Sequence, residues 1–299
     1  MTPAPPSTRW SRADWRVRHD AHQGRVATLA DAFVTRRCHQ KKHPVHDFLF
    51  TYYNFSPAKL KQWMPPLDIA LEVTEEDVPP LPWLNSDRFI QAEGWVMLDE
   101  SRLSAPLRDL ARWVATLCEK VLDRAPRFRC FGLHEWAMVY KQSREEIRHQ
   151  GYELRLSPEV MASFIESQSI GCSHYDAFRF FTPEAKPLNV LQPVLETRLE
   201  MEQGACLHAN MDLYKWATKL WPWVGSDLVG QVFALACEGR DLDMRASPYD
   251  LSHLGYEPVC IETAEGRERY EQEQRRLAEK AVPLREELRR AALRISGCL

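Results

Sequence analysis

The chain has 299 residues, enough for one large domain or two close-packed ones. Apolar residues make up 44% and charged residues 27%, the balance of a folded globular protein, which excludes a disordered, collagen-like or coiled-coil chain. A formal charge of -3 excludes a protein that coats nucleic acid by charge alone.

No apolar run approaches the roughly 18 to 20 residues that cross a bilayer, and the amino terminus lacks the apolar stretch of a signal peptide. A cytoplasmic protein with no membrane partner is expected, and no protein partner is evident. The eight cysteines contain no C-x-x-C pair, so neither a zinc ribbon nor a thioredoxin motif is present, and most are expected to be core thiols.

Residues 1–9 carry three prolines and little to bury, and are predicted to be a disordered tail. Residues 10–299 are predicted to form a single mainly helical (α+β) domain with a small antiparallel β-sheet near 68–100. The first helix runs from about Ser11 to Arg37 with Trp15, Val26, Leu29, Ala30 and Phe33 as its stripe. The aromatic segment HPVHDFLFTYYNF suits a buried helix, and Ser56-Pro57 starts the next by capping. Alternation in Ile69, Leu71 and Val73 predicts one strand, and FIQAEGWVML around Gly94 a second. Helical patterning resumes at Leu107–Val121, Leu133–His149 and Pro158–Glu166. CSHYDAFRFF fits either a strand or a short helix. His208–Leu220 is amphipathic, with His208, Asp212, Lys215 and Lys219 opposite the apolar face. Ser226 caps a helix through Leu242, and the last helix starts at Thr263 with Pro283 inside it.

Four stretches set a histidine beside a carboxylate among aromatics: His43-Pro-Val-His46-Asp47, His134-Glu135-Trp136, His174-Tyr175-Asp176 and His208 through Asp212. They hold five of the ten histidines. Imidazoles titrate near neutrality and bind metals, while carboxylates act as bases, hard ligands or a negative field. Convergence in one pocket would therefore make a reactive site. The plain alternative is that these groups form wet helix faces and helix starts. Glu146 and His149 have the E-x-x-H spacing of di-iron bundles, but that site needs two such motifs, and His149 is read as solvated. Neither G-x-G-x-x-G nor a P-loop occurs, which disfavours dinucleotide and kinase chemistry.

The strings HPVHDFLFTYY, CFGLHEWAMVY, CSHYDAFRFFTPEAKPLN, CLHANMDLYKWATKL, DMRASPYDL and GYEPVCIETAEGR resemble those of a bacterial, mainly actinobacterial, family named 3-methyladenine DNA glycosylase, over about Trp15 to Leu288. The resemblance implies a hydrolase that excises an alkylated base from DNA. Glu135, Asp176 or Asp212 would stabilise the sugar cation, and Tyr53, Trp136, Tyr175, Tyr214 and Arg245 would bind the base. Basic residues of the amino-terminal segment, where seven Arg and four Lys face four Asp before residue 62, would hold phosphates. The second expectation is a metal-dependent oxygenase or hydrolase acting on an aromatic or nucleobase-like small molecule. There His46, His134, His174 and His208 bind iron or zinc.

Overall fold

The computed structural model describes residues 8–77, 81–92, 94–147 and 150–298. It is mainly helical, with eleven α-helices and one four-stranded sheet among these residues, as the periodicity predicts. No helix there is long and apolar enough to cross a membrane. The chain divides into two compact units: Met1–Cys118 with Leu213–Ala234 and Leu284–Leu299, and Glu119–Asp212 with Leu235–Pro283.

The helices are α1 (Arg12–Cys38), α2 (Asp47–Thr51), α3 (Pro57–Lys61), α4 (Ala105–Asp123), α5 (Leu133–Ala137), α6 (Pro158–Glu166), α7 (Tyr175–Phe178), α8 (Arg198–Met201), α9 (Leu207–Lys219), α10 (Ser226–Arg245) and α11 (Ala264–Ser296). The strands are β1 (Thr8–Trp10), β2 (Ile69–Glu72), β3 (Phe89–Ala92) and β4 (Trp95–Leu98).

In the first unit the strands lie in the order β1-β2-β4-β3. FIQAEGWVML is two strands and not the one expected: Gly94 takes a left-handed φ of 76° and β3 and β4 form a hairpin, paired from Phe89 with Leu98 to Ala92 with Trp95, while β2 joins antiparallel. The sheet is mixed rather than antiparallel, because Thr8–Trp10 adds a parallel edge to Ile69–Leu71. That corrects the tail prediction for Thr8 and Arg9; residues 1–7 lie outside those described. The edge is held by chemistry composition alone could not show: Arg12 and Arg16 reach the buried Asp77, and the Trp15 indole N–H donates to the Glu72 carbonyl at 2.7 Å. Ser56 caps α3 as the sequence indicates, and Ser11, expected only as the start of α1, caps that helix in the same way, each accepting from an N–H three residues on. The inner stripe of α1 (Trp15, His22, Val26, Ala30, Phe33) is buried against α3 and neighbouring core. Ser226 departs from its expected role. Its hydroxyl donates to the Gln62 carbonyl and accepts from the Met64 N–H, so it ties down a loop instead of capping α10.

In the second unit, Trp136 is the centre of packing: it is fully buried, its N–H donates to the Ala246 carbonyl at 2.8 Å, and Phe164 meets it edge-on. The helix predicted over Leu133–His149 stops at Ala137. Turns follow, and Lys141 takes a left-handed φ of 55°, which no helix continues through. His149 lies outside the described residues. CSHYDAFRFF resolves as the short helix α7 rather than a strand. α6 matches its predicted bounds, with Ser157 as cap.

Candidate active site

The second unit brings His134, His174 and His208 together with carboxylates, and it does so by local devices. α5 is entered through Phe131 and Gly132, both left-handed. A Cβ on Gly132 would lie 3.2 Å from Ala246 Cβ and from the Tyr270 ring, so close approach and positive φ both require glycine. The next turn then carries His134 and Glu135 inward, where both are buried. His208 and Asp212 sit one turn apart at the start of α9, and His174 precedes α7. Asn189 fixes the segment leading to His174: its amide oxygen accepts from the Cys172 N–H at 2.7 Å, and its amide nitrogen donates to the Cys172 carbonyl at 2.9 Å.

His134 Nε2 lies 2.6 Å from Asp243 Oδ1, and the His208 ring stands perpendicular to that of His134 with centroids 4.3 Å apart. One ligand atom from each of His134, His208 and Asp243 falls within 4.8 Å of the other two, which makes the trio a candidate metal set. Arg240, one turn before Asp243, binds both Asp243 Oδ2 at 2.5 Å and Glu135 Oε1 at 2.8 Å. Alongside, His174 Nε2 lies 3.3 Å from Asp212 and 3.6 Å from Glu202. Arg198 joins Asp176 at 2.5 Å and Glu202 at 3.4 Å.

Five buried carboxylates (Glu135, Asp176, Glu202, Asp212, Asp243) face two buried guanidinium groups (Arg198, Arg240), the more exposed Arg179, 3.4 Å from Asp176, and the imidazoles of His134 and His174. Isolated buried charge is costly, so carboxylates that the buried guanidinium groups do not match draw on the imidazoles. Burial alone would lower His134, yet Asp243 raises it well above the ordinary imidazole range on balance, while His134 and Arg240 hold Asp243 far below the carboxylate range despite burial. His174 is likewise raised against its burial by Glu202 and Asp212. His208 is the opposite case: burial and then the charge on His134 push it down to about 3, so it stays neutral with a lone pair to offer. Its ring has no hydrogen-bond partner among the described residues.

A small cleft reaches this cluster, and its lining includes Cys130, His134, Cys172, Cys206, His208 and Tyr270. It leaves about 10 Å³ for the centre of a water-sized sphere, room for one water. Pockets that enclose organic ligands run to roughly 300 Å³ or more, so the cleft as it stands suits a water or an ion. A larger hollow of about 360 Å³ lies in the first unit. Its charged walls are partly paired internally, Arg18 with Asp227 and Arg294 with Asp68, and no histidine or cysteine lines it.

Of the other residues singled out in the sequence, Glu135, Asp176 and Asp212 belong to the cluster but are not among the side chains lining the cleft. Asp212 is buried, which corrects its placement on a wet helix face. Trp136 is packing core with Arg155 over its ring, and Tyr175 lies under Arg198. Arg245 binds Glu273 and the Glu257 carbonyl. His46 belongs to the first unit, where it stacks on His43, whose imidazole burial pushes down to about 4; Asp47 there binds Arg36. Tyr53 and Tyr214 also belong to the first unit and meet edge-on. Asp243, Arg240, Arg198 and Glu202 were not anticipated. One cue existed: Arg240 and Asp243 follow Ala236 at helical spacing, placing charges on a buried stripe.

Comparison with protein-family models, with curated proteins and with solved structures finds no match for this chain.

Proposed function

We propose that the second unit carries a mononuclear divalent-metal centre held by His134, His208 and Asp243, and that the protein is a metal-dependent enzyme activating a small molecule, water or dioxygen, at that ion. The convergence of two imidazoles and one carboxylate inside a cluster where buried carboxylates outnumber buried guanidinium groups carries the reading. Two histidines and a carboxylate with open positions are the donor set of non-haem iron(II), and similar sets hold zinc.

His134 Nε2 and Asp243 Oδ1, 2.6 Å apart, share a proton that a bound ion would have to displace. Arg240 keeps Asp243 oriented from the far side, the outer support that metal ligands commonly have. Because the cleft admits one water, the substrate is expected to approach the ion after the lining side chains shift, and an aromatic or nucleobase-like molecule stays our choice of class. A reducing compartment, the cytoplasm, suits a chain in which no disulfide joins the described cysteines.

The test is elemental analysis of protein purified without added metal. Close to one equivalent of iron or zinc is expected, and His208→Ala should lose it while the melting temperature stays within a few degrees, since that ring makes no hydrogen bond among the described residues. Metal-free protein that releases free base from alkylated DNA would instead support the base-excision activity implied by the sequence resemblance.

A further inference from the structure

Three cysteines from separate stretches meet at the cleft. Cys130 precedes α5, Cys172 lies in the segment fixed by Asn189, and Cys206 leads into α9. Cys130 and Cys172 face the same cleft, where Cys130 is the first cause that pushes the Cys172 thiol up, and Cys130 Sγ lies 3.8 Å from His134 Nδ1. Core cysteines are ordinarily enclosed by apolar carbon and inert. Cys130 is only partly buried and shares its cleft with imidazoles, an environment in which thiols react. Room for a single water admits little else. Among reagents that oxidise thiols, hydrogen peroxide is close to that size, whereas aryl disulfides and alkyl halide amides are far larger.

We propose that Cys130 and Cys172 form a peroxide-reactive thiol pair at the cleft, with Cys130 attacked first and Cys172 closing the disulfide. The Cys130 sulfur attacks one peroxide oxygen and the O–O bond breaks. Sulfur keeps that oxygen as a sulfenic acid, and the other oxygen leaves with the thiol proton as water. The Cys172 sulfur then attacks the Cys130 sulfur, the S–O bond breaks, and the departing hydroxyl takes the Cys172 proton as a second water. Two thiols lose two electrons, one peroxide gains two, and an external dithiol reverses the change. This chemistry needs no metal, so it stands apart from the proposed metal centre, although disulfide formation would take from His134 its contact with Cys130.

The experiment treats the full-length protein with hydrogen peroxide, blocks remaining thiols in denaturant and maps peptides by mass spectrometry. A Cys130–Cys172 linked peptide, reversed by dithiothreitol, is expected. Cys172→Ser should stop at a Cys130 sulfenic acid, trapped by a cyclic 1,3-dione added with the denaturant, and Cys206→Ser should still form the link. In the native protein an aryl disulfide should label the exposed Cys38 and Cys298 well before Cys130. Cys130 and Cys172 surviving as thiols at peroxide levels that oxidise Cys38 and Cys298 would overturn the proposal, as would a link from Cys130 to Cys206. The wild-type map decides even if a variant fails to fold. The metal-site variant His208→Ala should form the link as well, so loss of the metal reading leaves this one standing.

Discussion

Both units bury ionisable groups, but they treat them differently. In the first, Asp77 is fully buried and answered on every side: Arg12, Arg16 and the N–H and hydroxyl of Thr74 all donate to it. His22, equally buried, gives its Nε2 proton to the Leu60 carbonyl at 2.7 Å and turns its other nitrogen toward Gly230. In the second unit, carboxylates outnumber guanidinium groups and the histidines carry the imbalance. Desolvated charge answered by fixed guanidinium groups serves architecture, whereas desolvated charge answered by titratable imidazoles can change with protonation or a bound ion, which suits function.

The largest expected effect tests the strained side of this contrast. Arg240→Met leaves Glu135 and Asp243 without their buried guanidinium, and should lower the unfolding free energy by about 3 to 5 kcal/mol in urea titrations. A loss below about 1 kcal/mol would mean that the cluster is far better solvated than its burial suggests. Next comes the balanced side. In Gly230→Ala the new Cβ would stand 2.7 Å from His22 Nδ1, so helix and ring must part, at about 1 to 3 kcal/mol by the same titration. An unchanged midpoint would show that the His22 ring moves freely.

The smallest effect is a pH dependence. Burial lowers the folded-state pKa of His22 from the ordinary 6.5, with the Leu60 carbonyl opposing only in part. The unfolded chain therefore takes up this proton first as the solution is acidified. The contribution is complete above pH 6.5 and declines as pH falls below it, until the folded ring protonates too. Urea midpoints at pH 7.5 and 5.5 should differ less in His22→Gln than in the wild type; equal differences would assign the acid sensitivity elsewhere.

Much of the fold can be read from local chemistry. The serine caps at Ser11, Ser56 and Ser157 sit where a hydroxyl followed by helix formers places them, and strand structure falls on both sides of Gly94, although the turn there breaks the single strand expected. What escaped depends on distant partners. β1 is a strand only because β2 offers it an edge, and no pattern inside three residues can announce that. The patch-wise pairing of histidine with acid pointed to His134, His174 and His208, which do meet. The acid nearest His134 is Asp243, more than a hundred residues away, and not the adjacent Glu135. Neighbours in sequence on a helix point apart, so adjacency identified the right imidazole and the wrong carboxylate. Cys130 carried no sequence cue, because its interest lies in Cys172 and the cleft they share.

The left-handed step at Gly132 constrains how this protein can change over generations. A Cβ there would stand 3.2 Å from Ala246 and from the Tyr270 ring, which would have to give way by a few tenths of an ångström, and the left-handed backbone disfavours other residues besides. A replacement therefore meets two costs at once, and both fall on the turn that presents His134.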